Sequence, residues 1–282
     1  MMKSWKLFFL GLVGSMSVSL TAQGQIDMPQ ASPICTVSQK VGLMDVTLVY
    51  SRPSARGRKI FGDVVAYDRL WRTGANMASR IHFSDSVRVN GVGLKGDYSI
   101  LTIPSMNEWT IILNKAARMS GTSGYKESDD AVRVKVKPDV IPFTETFTIE
   151  FNYLTNNSAF VEISWETTRV SFKFETDVDS KVMRNIQQAL SATPTSYFQA
   201  ARYYYETNRD MNQALEWIDL AISKDKDELY WVVRQKALIQ AKIGDYPGAI
   251  ATAQRSLELA KKAGNDDYVR MNQASIEEWR KK

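Results

Sequence analysis

A chain of 282 residues with 44% hydrophobic, 24% charged and 11% aromatic residues can bury a sizeable core, which excludes wholesale disorder. Its 36 basic residues outnumber its 31 acidic ones by only +5, too little to read the chain as a nucleic-acid binder. One His and one Cys fall short of a zinc centre and exclude an intramolecular disulfide, so the core alone must hold the fold.

The first segment, residues 1–24, reads as a signal peptide. Lys3 and Lys6 precede an uncharged run over residues 7–20, and Ala22 and Gly24 follow at the spacing of a secretory cleavage site. The run is short and rich in Ser and Gly, whereas a bilayer span needs ~20 apolar residues. The expectation is an exported chain, periplasmic or extracellular, cleaved near Ala22 or Gly24, with no transmembrane segment in the mature part. Cys35 lies too far beyond the run for lipid attachment and reads as a buried thiol, with an intermolecular bridge as the alternative.

Over residues 35–175 the hydrophobic period is two. Trp109, Ile111 and Leu113 alternate with polar residues, as do Val132, Val134 and Val136, then Phe147, Ile149 and Phe151. Val161, Ile163 and Trp165 continue the pattern, and Val170, Phe172 and Phe174 close it. Strands with one buried and one wet face read this way in antiparallel sheets. Asn90-Gly91 between Val89 and Val92 is a strong hairpin signal, and Asn156-Asn157 a weaker one. Many short strands separated by turns predict an antiparallel β-sandwich, jelly-roll-like, with a β-barrel left open as the competitor.

After Asp177 the period becomes 3.6. Val182, Ile186, Ala189 and Leu190 form a first stripe that ends before Pro194. A repeat follows over residues 177–282: Ala214-Leu215 and Ala249-Ile250 stand 35 apart, each after a turn. Phe198, Ala201, Tyr205, Ile218 and Ala221 in one copy, and Val233, Ala237, Tyr246, Ala253 and Leu257 in the other, fall where a tetratricopeptide repeat places its packing residues. The helix-ending Pro of that repeat is replaced by Lys226 and Lys261, and residues 266–281 read as a closing helix with Trp279 on its apolar side. About two repeats are fewer than the ~3 that stand alone. The helical domain is therefore expected to lean on residues 178–191, on the β domain or on another copy. It serves either as a partner-binding surface or as a brace.

Charge concentrates between residues 50 and 80, where seven basic residues meet only Asp63 and Asp68. Arg52, Arg56 and Arg58 stand in a Pro- and Gly-containing loop, and Trp71, Arg72 and Asn76 in a second. A guanidinium is a planar fork of donors suited to carboxylate, phosphate or sulfate. These six residues are the candidate anion-binding site, with Trp71 offering a stacking face to an acidic sugar. The alternative is that the arginines staple an irregular crossover to the sheet by bonding Asp63, Asp68 and backbone carbonyls.

YSRPSARGRKIFG at 50–62, WRTGAN at 71–76, GDYSILTIP at 96–104, EWTIILNK at 108–115 and SGTSGYKESDDAVRVKV at 120–136 together resemble the bacterial exported family of domain of unknown function 2911. Met119 stands where that family suggests a Trp. The resemblance covers roughly residues 35–175. It implies an exported protein of a type often followed by tetratricopeptide repeats, and it carries over no catalytic residue.

Enzymatic chemistry finds little footing. His82, flanked by Ile81 and Phe83, points outward beside Arg80, a poor setting for a catalytic base. Asp129-Asp130 and the cluster Asp225 to Glu228 lack the loop spacing of a calcium site, and the latter reads as an N-cap. Residues 121–124 lack the Lys of a phosphate-binding loop. Glu108, Asp129, Asp130, Glu162 and Glu166 leave open a carbohydrate-active hydrolase, which needs two carboxylates ~5–9.5 Å apart. The reading is an exported, non-enzymatic binding or scaffold protein without cofactor or metal. Its basic loops recognise an anionic ligand or envelope glycan, and its helical repeats bind a protein partner.

Overall fold

The alternating segments of the first half become eight antiparallel strands in the computed structural model, which describes residues 28–189 and 193–282. The signal segment and Leu190 of the first helical stripe lie outside the described residues. The strands are β1 (Ile34–Val41), β2 (Met44–Ser51), β3 (Ser79–Val89), β4 (Val92–Ile103), β5 (Trp109–Asn114), β6 (Asp130–Val136), β7 (Asp139–Asn152) and β8 (Ser158–Thr176). β1 to β6 follow one another as neighbours, a meander rather than the crossed order of a jelly roll, and β7 pairs with β8.

The choice between sandwich and barrel turns on two corners. β3 pairs with β2 through Arg80–Phe83 positions and then, after a register break, with β8 from Val87 onward. The chain just beyond β2 reaches the other layer as well: Ala55 N–H donates to Glu145 O at 2.8 Å and Phe147 N–H to Pro53 O at 2.9 Å. Two layers therefore face each other and are hydrogen-bonded at both corners. Val46, Leu48, Ile81, Phe83, Ile100 and Ile111 from one layer meet Phe147, Ile149, Val161, Phe172 and Phe174 from the other. Phe83 and Phe174 pack edge to face at 5.5 Å. Full burial of each such side chain contributes about 1.5–3 kcal/mol. Asn90 and Gly91 take φ of 47° and 79°, the left-handed pair that a two-residue turn between β3 and β4 requires.

Six helices follow: α1 (Val178–Ala189), α2 (Pro194–Glu206), α3 (Met211–Lys224), α4 (Tyr230–Lys242), α5 (Tyr246–Lys262) and α6 (Asp266–Trp279). Consecutive helices from α2 to α6 pack on one another. The small residues Ala201, Ala214, Ala221, Ala237, Ala249, Ala253 and Ala260 are all buried, which lets the helix axes approach. Thr193, Asp210, Asp245 and Asn265 cap α2, α3, α5 and α6 by accepting from first-turn N–H groups. The acidic cluster at 225–228 departs from expectation. Leu229 is the N-cap of α4 and makes no side-chain cap, Asp225 ends α3, and Glu228 pairs with Arg255.

The two halves meet chiefly through α1. Lys181 Nζ donates to Asp85 at 2.6 Å, and Asp179 accepts from Tyr203 at 2.7 Å and from Arg209. Gly42, at φ 59°, lies so close that an added Cβ would stand 2.4 Å from a Val178 methyl. Contacts this few give the sheet little support. Removal of residues 177–282 is expected to leave the melting temperature of the β half within a few degrees of its value in the full chain, read by circular dichroism.

The Lys181 hydrogen bond holds the Asp85 carboxyl down to about 2, from an ordinary 3.8. A lowered carboxyl stabilises the folded form above its ordinary value, and that stabilisation is lost as pH falls toward about 2. Lys181→Ala is therefore expected to move the Asp85 midpoint back up toward 3.8, read by NMR titration.

Candidate functional site

Between β2 and β3 the chain crosses irregularly over residues 52–78, and its conformation is set by the aromatic core beneath it. Trp71 stacks on Trp165 with ring centroids 6.1 Å apart and planes within 16°. Its edge meets Phe147 at 5.5 Å, Phe61 at 6.1 Å and Trp109 at 6.5 Å, and its Nε1–H donates to Gly74 O at 3.2 Å. The crossover can tolerate this anchoring because Arg56, Asp68, Thr73 and Asn76 accept left-handed φ between 52° and 58°.

That arrangement disperses the six expected ligand residues. Trp71 faces Trp165 rather than a cleft. Arg52 joins the layers, its Nε donating to Phe147 O at 3.1 Å and its Nη2 to Thr148 Oγ1 at 2.8 Å. Arg58 closes its own turn on Ala55 O and Ser54 O. Arg56 is exposed, and its backbone N–H donates to the Glu145 carboxylate at 2.8 Å. Arg72 is half-buried with Nη1 close beneath Gly121, and its buried Nε has no partner among the described residues. Of the six, only Asn76 lines a cleft over β1 to β3, where its Nδ2 donates to Ser32 O and to Ser51 Oγ, each at 3.2 Å. Arg52, Arg56 and Arg58 thus lie along β7, Trp71 lies against the core and Asn76 lies at the cleft.

The cleft has a volume of about 720 Å³ and lies over the outer faces of β1, β2 and β3. Ile34, Val49 and Ala78 make it apolar, residues 30–32 form one side, and Met77, Ala117 and Arg118 form the other. The second side is stitched in place. Met77 bridges Ser120, and Ala78 N–H donates to Met119 O at 3.0 Å. Met119 is buried against Ala78, Leu101 and Ile112 in a small second core on the outer face of β4 and β5. The base of this loop is held by Asp130, which accepts from Asn114 Nδ2 at 2.7 Å, Tyr125 Oη at 2.8 Å and Arg133 Nε at 2.7 Å.

Among the described residues two cations line the cleft, Arg80 from β3 and Arg118 from the stitched loop, and no carboxylate does. Neither guanidinium forms an ion pair or side-chain hydrogen bond among the described residues, in contrast with Arg133, Arg169 and Arg209, which all pair with acids. Sequence reasoning passed over both as ligand residues. Arg80 belongs to the basic stretch and takes an outward strand position opposite Val49 and Ser99, a signal that was present. Arg118 carries none, because only the fold brings it beside a residue 38 positions earlier.

Other candidates are engaged elsewhere. His82 Nδ1 lies 3.1 Å from Asp97 across the β3–β4 pair, outward as expected. Glu108 pairs with Lys135 at 2.8 Å, and buried Glu162 accepts from Asn152 at 2.7 Å while facing Arg169. Asp129 ends a short 3-10 turn, and Glu166 sits at φ 54° opposite the bulged stretch of β7. None of the five carboxylates lines the cleft. Among the described residues no three His, Cys, Asp or Glu side chains gather as a metal site. Beneath the cleft, half-buried Cys35 packs on the core beside Tyr50, whose hydroxyl is pushed up to about 12, first by burial and then by its bond to the thiol.

A family model described as a protein of unknown function, DUF2911, matches residues 32–174, just over half of the chain. No curated protein and no solved structure matches it.

Anchor and ligand roles separate by mutation. Trp71→Ala is expected to cost about 3 kcal/mol or more of stability by urea denaturation, as aromatic truncations in cores do. Arg56→Ala is expected to stay within about 0.5 kcal/mol of the parent, as exposed changes do.

Proposed function

The chain belongs to the DUF2911 family, and on that premise we propose that it is an exported, non-enzymatic binding protein whose β domain holds an anionic ligand in the cleft beside Arg80 and Arg118. The observation that carries this reading is the pair of guanidiniums lining a cleft that no acid among the described residues lines. Two like charges on neighbouring walls repel each other, and an anion between them relieves that repulsion while accepting charge-assisted hydrogen bonds. Residues 1–24 support export by their charge and small-residue layout.

The helical half, read as tetratricopeptide-like, serves to bind a protein partner. Its 35-residue spacing and buried Ala positions favour that reading, and its few contacts with the sheet leave it poorly placed as a brace. A carbohydrate-active hydrolase draws no support from Glu108, Asp130 or Glu162, each of which is held by a neighbouring donor.

The test is a thermal-shift screen of the purified chain against organic and inorganic anions. A ligand at a hundred times its Kd stabilises by about 2.7 kcal/mol, a readily measured shift. Stabilisation is expected for the parent and for Arg56→Ala, and is expected to fall to about half in Arg80→Gln and Arg118→Gln. If no anion stabilises the parent, or if the cleft variants respond as fully as it does, the reading is wrong.

A further inference from the structure

Resting on the anion-binding reading, we infer that the ligand is an amphiphilic organic anion, an apolar body carrying one carboxylate or sulfonate, rather than an inorganic anion or an acidic sugar. The cleft's volume of about 720 Å³ far exceeds what a bare sulfate or phosphate fills, and it falls within the range of small-molecule sites. Much of its surface is hydrocarbon. Ile34 is 69% exposed and Met77 48% exposed, and Val49 and Ala78 continue the apolar strip between them. Such side chains gain from being covered by another apolar surface and gain nothing from a sugar's hydroxyls. Trp71 does not line the cleft, being half-buried against Trp165, and Tyr50, which does line it, is only 3% exposed and offers little face for a sugar ring to stack on. Arg80 and Arg118 stand on separate elements of the same cleft, so one headgroup can lie between them while the body covers the strip.

The experiment is isothermal titration of the full purified chain with sodium hexanoate, octanoate and decanoate below their micellar concentrations. Sodium sulfate, sodium glucuronate and 1-decanol are run alongside. Decanoate is expected to bind, with affinity rising about fourfold for each methylene that the apolar strip covers. Arg118→Gln is expected to weaken decanoate about tenfold, the loss of one charge-assisted hydrogen bond. Ile34→Ser, at an exposed position that does not threaten folding, is expected to weaken decanoate while flattening the chain-length series. Sulfate or glucuronate binding as tightly as decanoate, with the same loss in Arg118→Gln, overturns the amphiphile and leaves the anion site standing. Decanol binding as tightly as decanoate, unaffected by Arg118→Gln, overturns both, as does the failure of every probe to bind.

Discussion

The contact of Trp71 with Trp165 decides what the β half can present to solvent. A 27-residue crossover between β2 and β3 is tied to the sheets by scattered backbone bonds at Ala55, Asp68, Trp71 and Ala78, and Trp71 adds a large apolar anchor among them. Once Trp71 is seated among Phe61, Trp109, Phe147 and Trp165, the chain on either side follows. The Arg52 to Arg58 turn is placed over the edge of β7, and the segment from Asn76 to Ala78 is placed along the outer face of β2 and β3. This second end, with Leu70 and Arg72, meets the loop that carries Arg118.

The fate of the arginines follows from the same geometry. Guanidiniums near an embedded crossover find carbonyl oxygens sooner than carboxylates, because the crossover's own irregular backbone leaves many carbonyls unpaired in strands. Arg52 and Arg58 are answered in this way, which satisfies their donors and leaves their charge uncancelled. Arg80, at the end of the same basic stretch, lies instead on β3 and lines the cleft. Arg80 and Arg118 line the cleft without an ion pair among the described residues, one on a strand and one on a loop braced by Met119 and Asp130. A binding site benefits from that rigidity, since its donors need no reordering when a ligand arrives.

The helical half stands by different physics. Its cohesion comes from local helix pairs closed by alanines, so it asks little of the sheet. α1 acts as the joint, held by the Asp85–Lys181 pair at one side and by Asp179 with Tyr203 and Arg209 at the other. Most of these joint residues are polar and partly exposed, the composition of a junction rather than of a shared core.

Alternation of Val, Ile, Phe and Trp by itself determined that residues 34–176 would be antiparallel strands, and Asn90-Gly91 determined one hairpin, because side-chain periodicity and left-handed turn preference are local properties. The shift to a 3.6 period and the spacing of Ala214 and Ala249 likewise determined a helical tail. Tertiary structure alone decided the corners at Phe83–Val87 and at Pro53–Ala55, since both depend on strands some 90 residues apart meeting. It alone decided that Trp71 would be a core residue and not a stacking platform. It alone joined Arg80 to Arg118, for no local pattern records which side chains a fold carries to the same cleft.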